Sequence, residues 1–245
     1  MLNRTTRKIA LVTGLSLALA LPSLSWADFA AGQQAFRNGD YETALREYRE
    51  DGGAQASYRI GTLYDNGFGV PENKQEALKW YHKAADLGLD QAQHRIGEMY
   101  DNGRGVEENP VTALNWYLKA AEQGMAIAQF KVGDMYYTGK GVKQDVALGV
   151  KWLQQAAKMG NIRAQYEIAT MYETGRELKK DISEAAKWYL RAAEQGHSRA
   201  QYTIALLFLK GEGVRQDRAE AVKWLRKAAE GGHTKAQMDL ASLSQ

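Results

Sequence analysis

Cysteine is absent from this chain of 245 residues, so no disulfide can cross-link the fold and no acylated cysteine can anchor it to a membrane. Proline is scarce, with three residues, whereas Ala, Leu, Lys, Glu and Gln are abundant, which favours helix over strand. After residue 27, no apolar run approaches the roughly 20 residues that a membrane-spanning helix requires. We therefore expect an all-α protein that is stabilised by packing alone, without stable membrane insertion of the mature chain.

The first 27 residues differ in composition from the rest of the chain. Three basic residues precede an apolar run at 9–21, which is followed by the small-x-small ending Ser25-Trp26-Ala27. This order is typical of a secretory signal peptide, and a run of 13 residues is short for the alternative, an uncleaved membrane anchor. The pattern predicts cleavage after Ala27 and a mature protein in a bacterial periplasm or outside the cell.

The formal net charge of +3 belongs to the same segment. Its removal takes away three basic and no acidic residues, which leaves 29 Lys and Arg residues against 29 Asp and Glu residues. Proteins that bind nucleic acid carry a clustered basic surface. The neutral mature chain therefore argues against a nucleic-acid partner.

Tryptophan recurs every 36 residues through the remainder of the chain, and most neighbouring positions follow the same interval. A period of this length indicates a solenoid of stacked units rather than separate domains. We expect an N-terminal helical hairpin at 28–53, which resembles a tetratricopeptide unit, five repeats at 54–233, and a capping helix at 234–245. The aligned tryptophans are Trp80, Trp116, Trp152, Trp188 and Trp224.

Each unit is predicted to contain two helices joined by a Gly-x-Gly-Val loop. In the second repeat the first helix covers about 92–102 and ends at Gly103, a residue type suited to a left-handed cap. Glu177 stands where the other four loops have their second glycine, so the fourth loop is expected to relax or to take another path. The second helices open at residues that can cap free N–H groups, namely Asn73, Asn109, Asp145, Asp181 and Asp217.

These residues together resemble the Sel-1-like repeat family, relatives of tetratricopeptide repeats. The pattern is Ala-x-x-x-Ile/Val-Gly-x-x-Tyr-x-x-Gly-x-Gly-Val-x-x-Asp/Asn, then Ala-x-x-Trp-Tyr-x-x-Ala-Ala-x-x-Gly. The resemblance implies a right-handed α/α superhelix that acts as an adaptor or scaffold in envelope signalling, assembly or host contact. Some exported members are cysteine-rich and are associated with β-lactams; a cell-wall-active protein that binds or hydrolyses β-lactams or peptidoglycan is therefore the alternative.

Residues suited to catalysis are sparse. The chain has no cysteine, no His-Glu-x-x-His and no Gly-x-Ser-x-Gly, and its four histidines form no ligand pattern. His197 and His233 lie 36 residues apart at repeat junctions, where a structural or solvent-exposed role is the simpler interpretation. We therefore expect a protein that is not an enzyme and that has no cofactor and no metal site.

The first helices offer a second face for binding. On a helical wheel, positions 56, 60, 63 and 64 form the packed side and positions 58, 62 and 65 lie opposite, in what would be the concave groove. Aromatic and acidic side chains alternate there, which suits a protein or peptide segment with basic and apolar side chains. The aromatic residues could instead pack between repeats, whereas the acids are expected to be exposed. The candidate groove residues are Tyr58, Thr62, Asp65, His94, Glu98, Asp101, Phe130, Asp134, Tyr137, Tyr166, Thr170, Glu173, Tyr202 and Leu206.

Overall fold

A computed structural model describes residues 24–243, and residues 1–23 of the predicted signal peptide lie outside this range. All regular secondary structure in the described part is α-helical, as the composition predicts. Each helix packs mainly against its neighbours in the chain, which makes an extended stack of helical hairpins. The helices are α1 (Leu24–Arg37), α2 (Tyr41–Asp51), α3 (Ala54–Asn66), α4 (Lys74–Asp86), α5 (Asp90–Asp101), α6 (Pro110–Glu122), α7 (Ala126–Thr138), α8 (Val146–Lys158), α9 (Ile162–Thr174), α10 (Ile182–Glu194), α11 (Ser198–Lys210), α12 (Arg218–Glu230) and α13 (Thr234–Leu243).

The second helix of every repeat begins at a side-chain cap. In the first repeat, the carboxamide oxygen of Asn73 accepts a hydrogen bond of 3.0 Å from the backbone N–H of Glu76. Equivalent caps at Asn109, Asp145, Asp181 and Asp217 satisfy N–H groups that have no partner within the helix. The predicted starts of the second helices are thus confirmed.

In the first and second repeats, the two helices cross where a glycine faces a tyrosine. A Cβ added to Gly61 would lie 2.6 Å from the Tyr81 ring, and one added to Gly97 would lie 2.6 Å from the Tyr117 ring. Both rings are fully buried, so each glycine leaves the space that its facing tyrosine occupies. The core of each repeat is completed by the Ala-Ala pair of its second helix, which is also buried in every repeat except at Ala229.

At the three junctions from the second repeat to the fifth, a glutamine links one hairpin to the next. The side-chain N–H of Gln129 in α7 donates to the carbonyl of Ala121 near the end of α6, at 3.2 Å. Gln165 and Gln201 make the same bond one and two repeats later, at 3.1 Å and 3.0 Å. Since the last carbonyls of a helix have no partner within it, each glutamine satisfies the end of the preceding hairpin.

The fourth loop keeps the left-handed backbone of its relatives despite its glutamate. Glu177 has φ of 61°, close to the values at Gly105 and Gly141. The loop departs locally, because the N–H of Leu178 donates to the carbonyl of Arg176 at 2.7 Å and closes a three-residue turn around Glu177. The expected adjustment is therefore a tight turn at the same place rather than a new route for the loop.

Candidate binding groove

The fourteen candidate residues lie on α3, α5, α7, α9 and α11, the first helices of the five repeats, and we call the surface that they form the groove face. Asp134 is exposed and ten others are half-buried. The remaining three, Asp65, His94 and Asp101, are buried. The expectation that the acids of this face are exposed is therefore wrong for Asp65 and Asp101, because cations enclose both carboxylates, and all of these cations except Lys74 come from the following repeat.

Asp65 is the centre of a buried ion network between the first and second repeats, the first junction. Its carboxylate pairs with Lys74 at 3.1 Å, with Arg104 at 3.4 Å and closely with Arg95. The Tyr81 hydroxyl also donates to it, at 3.2 Å. Burial opposes ionisation of Asp65, but the hydrogen bonds from Arg95 and Lys74 outweigh it and lower the pKa.

The second junction repeats this arrangement around Asp101. The carboxylate pairs with Lys140 at 2.5 Å and with Lys131 at 3.5 Å, and the Tyr117 hydroxyl donates to it at 3.4 Å. Burial again opposes ionisation, and the hydrogen bond from Lys140 is the main interaction that lowers the pKa. Charge reversal at Asp101 would place a cation among cations. It would therefore destabilise the fold, unlike a substitution at an exposed position of the groove face.

The aromatic residues of the groove face both pack between repeats and remain partly accessible. Tyr166 stacks on His197 with ring centroids 4.6 Å apart, and Tyr202 stacks on His233 at 4.4 Å. Both histidines cap the helix that follows them by accepting a backbone N–H at Nδ1. Because Tyr166 and Tyr202 are only half-buried, inter-repeat packing and contact with a partner are compatible at these positions.

His94 is different, because it occupies the same position but is buried. Its ring lies 5.4 Å from that of Tyr117, and its Nε2 has no hydrogen-bond partner among the described residues. Burial lowers the pKa of His94, which keeps the imidazole neutral. We therefore place His94 in the packing of the second repeat rather than at the accessible surface.

Between the third and fourth repeats, the third junction, the groove face contains a pocket of about 360 Å³. The second helix of the third repeat has Leu153 at the position of Tyr81, Tyr117 and Tyr189, so it offers no phenol to the first helices. The helices of this repeat also approach closely, since a Cβ on Gly149 would lie 2.7 Å from the backbone nitrogen of Tyr137. The lining residues are Asp134, Tyr137, Thr138, Leu153, Tyr166, Glu167, Thr170, Met171, Thr174, Arg176 and Glu177.

Glu167 gives this pocket its electrostatic character. Burial raises its pKa to about 7, repulsion from Asp134 adds to the effect, and Arg163 opposes it. Neither Glu167 nor Asp134 forms an ion pair within residues 24–243. The Tyr137 hydroxyl instead donates to the Glu177 carboxylate at 3.0 Å, and this hydrogen bond is the main cause that raises the pKa of Tyr137.

Sequence reasoning missed Leu153 and Glu167, although the periodicity contains a signal for both. Leu153 interrupts a column that has tyrosine in the first, second and fourth repeats. Glu167 stands in a column that has Arg95 and Lys131 in the second and third repeats. A comparison of repeats column by column, rather than of faces helix by helix, would have identified the pocket.

No group of three or more His, Asp or Glu side chains in residues 24–243 is placed to hold a metal ion. None of the helices in the same range is both long enough and apolar enough to cross a bilayer.

Comparisons with known proteins agree with this architecture. A family model described as Sel1 repeat matches the five segments 54–89, 90–125, 126–161, 162–197 and 198–233. No match is found among the curated proteins. A solved Sel1 repeat protein from Oxalobacter formigenes is 35% identical, with a TM-score of 0.78, and the match covers 88% of this chain and 89% of that one.

Two other solved structures extend the comparison. A protective antigen present in uropathogenic Escherichia coli strains, which displays an SLR fold, is 32% identical over 89% of this chain, with a TM-score of 0.80. The match covers 48% of the antigen, so the chain spans about half of its length. The immunity protein PA5088 from Pseudomonas aeruginosa, 22% identical with a TM-score of 0.54 over 82% of each chain, shares the fold alone.

Proposed function

The chain belongs to the Sel1 repeat family, and from this premise we propose that it is an exported scaffold that binds a segment of another protein on the groove face. Sel1 repeat proteins are generally scaffolds for protein–protein interaction. Membership confirms both the resemblance inferred from the sequence and the all-α solenoid. The use of the groove face, the export and the roles in envelope signalling, assembly or host contact belong to the proposal.

The observation that carries the proposal is the row of half-buried rings on successive first helices, at Tyr58, Phe130, Tyr166 and Tyr202. Each ring is held by its neighbours and still presents part of its surface, so little conformational freedom is lost on binding. The exposed or half-buried acids Asp134 and Glu98 stand beside them. Such a surface suits a segment with apolar and basic side chains.

Site-specific photo-crosslinking in the native envelope tests the use of this face. A photoreactive phenylalanine analogue at Phe130 or Tyr202 should yield adducts with one protein partner. Matched controls carry the analogue at Lys151 and Lys187, which are exposed on the second helices α8 and α10. Adducts obtained only from the control positions would move recognition to the opposite surface and contradict the proposal.

Export and the absence of catalysis have separate tests. Export predicts that the protein recovered from the envelope begins at Asp28, which intact-mass measurement checks directly. A recovered chain of full length would contradict it. A scaffold should also leave nitrocefin intact and release no muropeptides from peptidoglycan; turnover of either by the purified protein would instead support the cell-wall-active alternative.

A further inference from the structure

We propose that the pocket at the third junction binds a lysine or arginine side chain of the protein segment that lies on the groove face. This inference rests on the proposed function and adds the chemistry of one contact, the one made between α7 and α9. Its basis is a break in the repeat pattern that leaves, at one place, both space and two carboxyl groups without an ion pair in the described part of the chain.

The space results from the loss of a phenol. In the first, second and fourth repeats a tyrosine of the second helix reaches an acid of the first helix, as in the Tyr189–Glu173 hydrogen bond of 2.6 Å. Leu153 is shorter and apolar, and it lines a pocket of about 360 Å³ that is open to the groove face. This is within the size range of pockets that bind small groups in proteins.

The acidic character of the pocket results from the replacement of a basic residue by an acidic one. At the first and second junctions, Arg95 and Lys131 of the following repeat pair with a buried aspartate. At the third junction Glu167 occupies their column and lies beside Asp134. A cation from a partner would meet these two carboxylates in the position where the chain supplies its own cation at the other two junctions.

The surrounding charges leave Glu167 available. Arg163 on its own helix is exposed and forms no ion pair in the described part of the chain. Arg176, in the following loop, has its guanidinium 4.0 Å from Glu177. Tyr137 and Tyr166 line the pocket with the acids, and their ring faces suit the alkyl stem and the charged end of a long basic side chain.

Binding to the pocket can be measured with a single blocked amino acid. The probe is N-acetyl-lysine methylamide, titrated into the full mature chain labelled with ¹³C at its methionine methyl groups. Met171 lines the pocket, and Met99, at the equivalent position two repeats earlier, is the internal control. We expect a saturable shift of the Met171 signal without a matching shift of Met99, and no such shift with the norleucine analogue, which lacks the charge.

Three variants distinguish the pocket from general attraction to an acidic surface. Glu167→Gln keeps the shape and should weaken binding of the lysine probe at least fivefold. Glu167→Lys places a cation there, as in the two preceding repeats, and should abolish binding. Leu153→Tyr introduces the tyrosine of those repeats and should fill the pocket; circular dichroism establishes that each variant is folded.

The inference is overturned if Met171 does not shift saturably, if norleucine and lysine probes act alike, or if Glu167→Gln binds as tightly as the parent. If free cadaverine binds at least tenfold more tightly than the blocked lysine, the occupant is a small amine rather than a protein segment, and the inference is overturned. Crosslinks from Phe130 or Tyr202 without lysine binding would leave the proposed function standing and reject only this inference. Lysine binding without crosslinks would reject the proposed function instead.

Discussion

The first and third junctions occupy equivalent places in the solenoid and have opposite electrostatics. At the first junction, buried Asp65 is surrounded by Lys74, Arg95 and Arg104. At the third junction the central acid is replaced by Tyr137, Glu167 takes the place of a cation, and a pocket is open. The repeats therefore pack together whether or not these positions carry an ion network. The side chains at one junction can stabilise the packing, and those at the same positions of another junction can be available for binding.

The largest change in the free energy of unfolding should follow when Asp65, the central acid of the first junction, is neutralised. Asp65→Asn leaves three cations around a buried amide, and loss of one partner of a buried ion pair typically costs about 3 kcal/mol or more. The third junction has Tyr137 at this position, so the matched variant is Glu173→Gln in the fourth repeat. The Glu173 carboxylate has no ion pair among the described residues, and its neutralisation should cost about 1 kcal/mol or less. Urea unfolding monitored by circular dichroism gives both values, and equal costs would remove the proposed contrast in cohesion.

A smaller effect is expected from the tyrosine column. Tyr117→Leu gives the second repeat the residue that the third repeat has naturally, and should lower the free energy of unfolding by about 2 kcal/mol because a fully buried ring is lost. The reverse exchange, Leu153→Tyr, should raise it by less than that. Gly149 is kept in this variant, because a Cβ there would lie 2.7 Å from the backbone nitrogen of Tyr137. Thermal unfolding measures both. If the reverse exchange destabilises the protein, the third repeat has a packing of its own and is not simply an open version of the second.

The two junctions should respond to pH in opposite directions. The pKa of Asp65 is lowered, so its contribution to stability is present above about 3.8 and is lost as the pH falls through the lower folded value. The pKa of Glu167 is raised to about 7, so its contribution is complete below about 4.5 and is lost as the pH rises through about 7.

Melting temperatures of matched variants detect this inversion. Glu167→Gln, which cannot ionise, should gain stability relative to the parent between pH 5 and pH 8. Asp65→Asn should differ most from the parent near neutral pH and least in acid. If the difference in melting temperature between Glu167→Gln and the parent stays constant with pH, burial does not raise the pKa of Glu167.

The smallest effect concerns Glu177 in the fourth loop. Glu177→Gly removes a glutamate from a left-handed conformation, which favours stability by up to about 1 kcal/mol, but it also removes the hydrogen bond from Tyr137. Tyr137→Phe alone reports the contribution of that bond. Adding Glu177→Gly to Tyr137→Phe should then raise the melting temperature, and a decrease would show that the three-residue turn itself stabilises the loop.

The sequence predicted the fold more fully than the candidate site, for a physical reason. Helix starts at residues such as Asn109 depend on local hydrogen bonds, and hydrophobic periodicity determines which face packs. The burial of Asp65 depends on Arg95, which comes from the next repeat, so a wheel drawn for one helix places the aspartate on the outside. Glu167 could not be recognised as unpaired without knowing that its neighbours across the junction are also acids.

The glutamines that join successive hairpins bear on how whole repeats can be gained or lost during evolution. Each one reaches the preceding hairpin by donating to a backbone carbonyl, as Gln201 does with Ala193, and not to a side chain there that would have to change with it. Gln237 in α13 makes the same bond to Ala229, so the final helix joins the stack through the same connection as the third, fourth and fifth repeats. A duplicated unit of 36 residues would meet the same connection on both sides. Gene duplication can therefore lengthen or shorten the array by whole repeats without creating a new interface, while side chains such as those of the third junction diverge unit by unit.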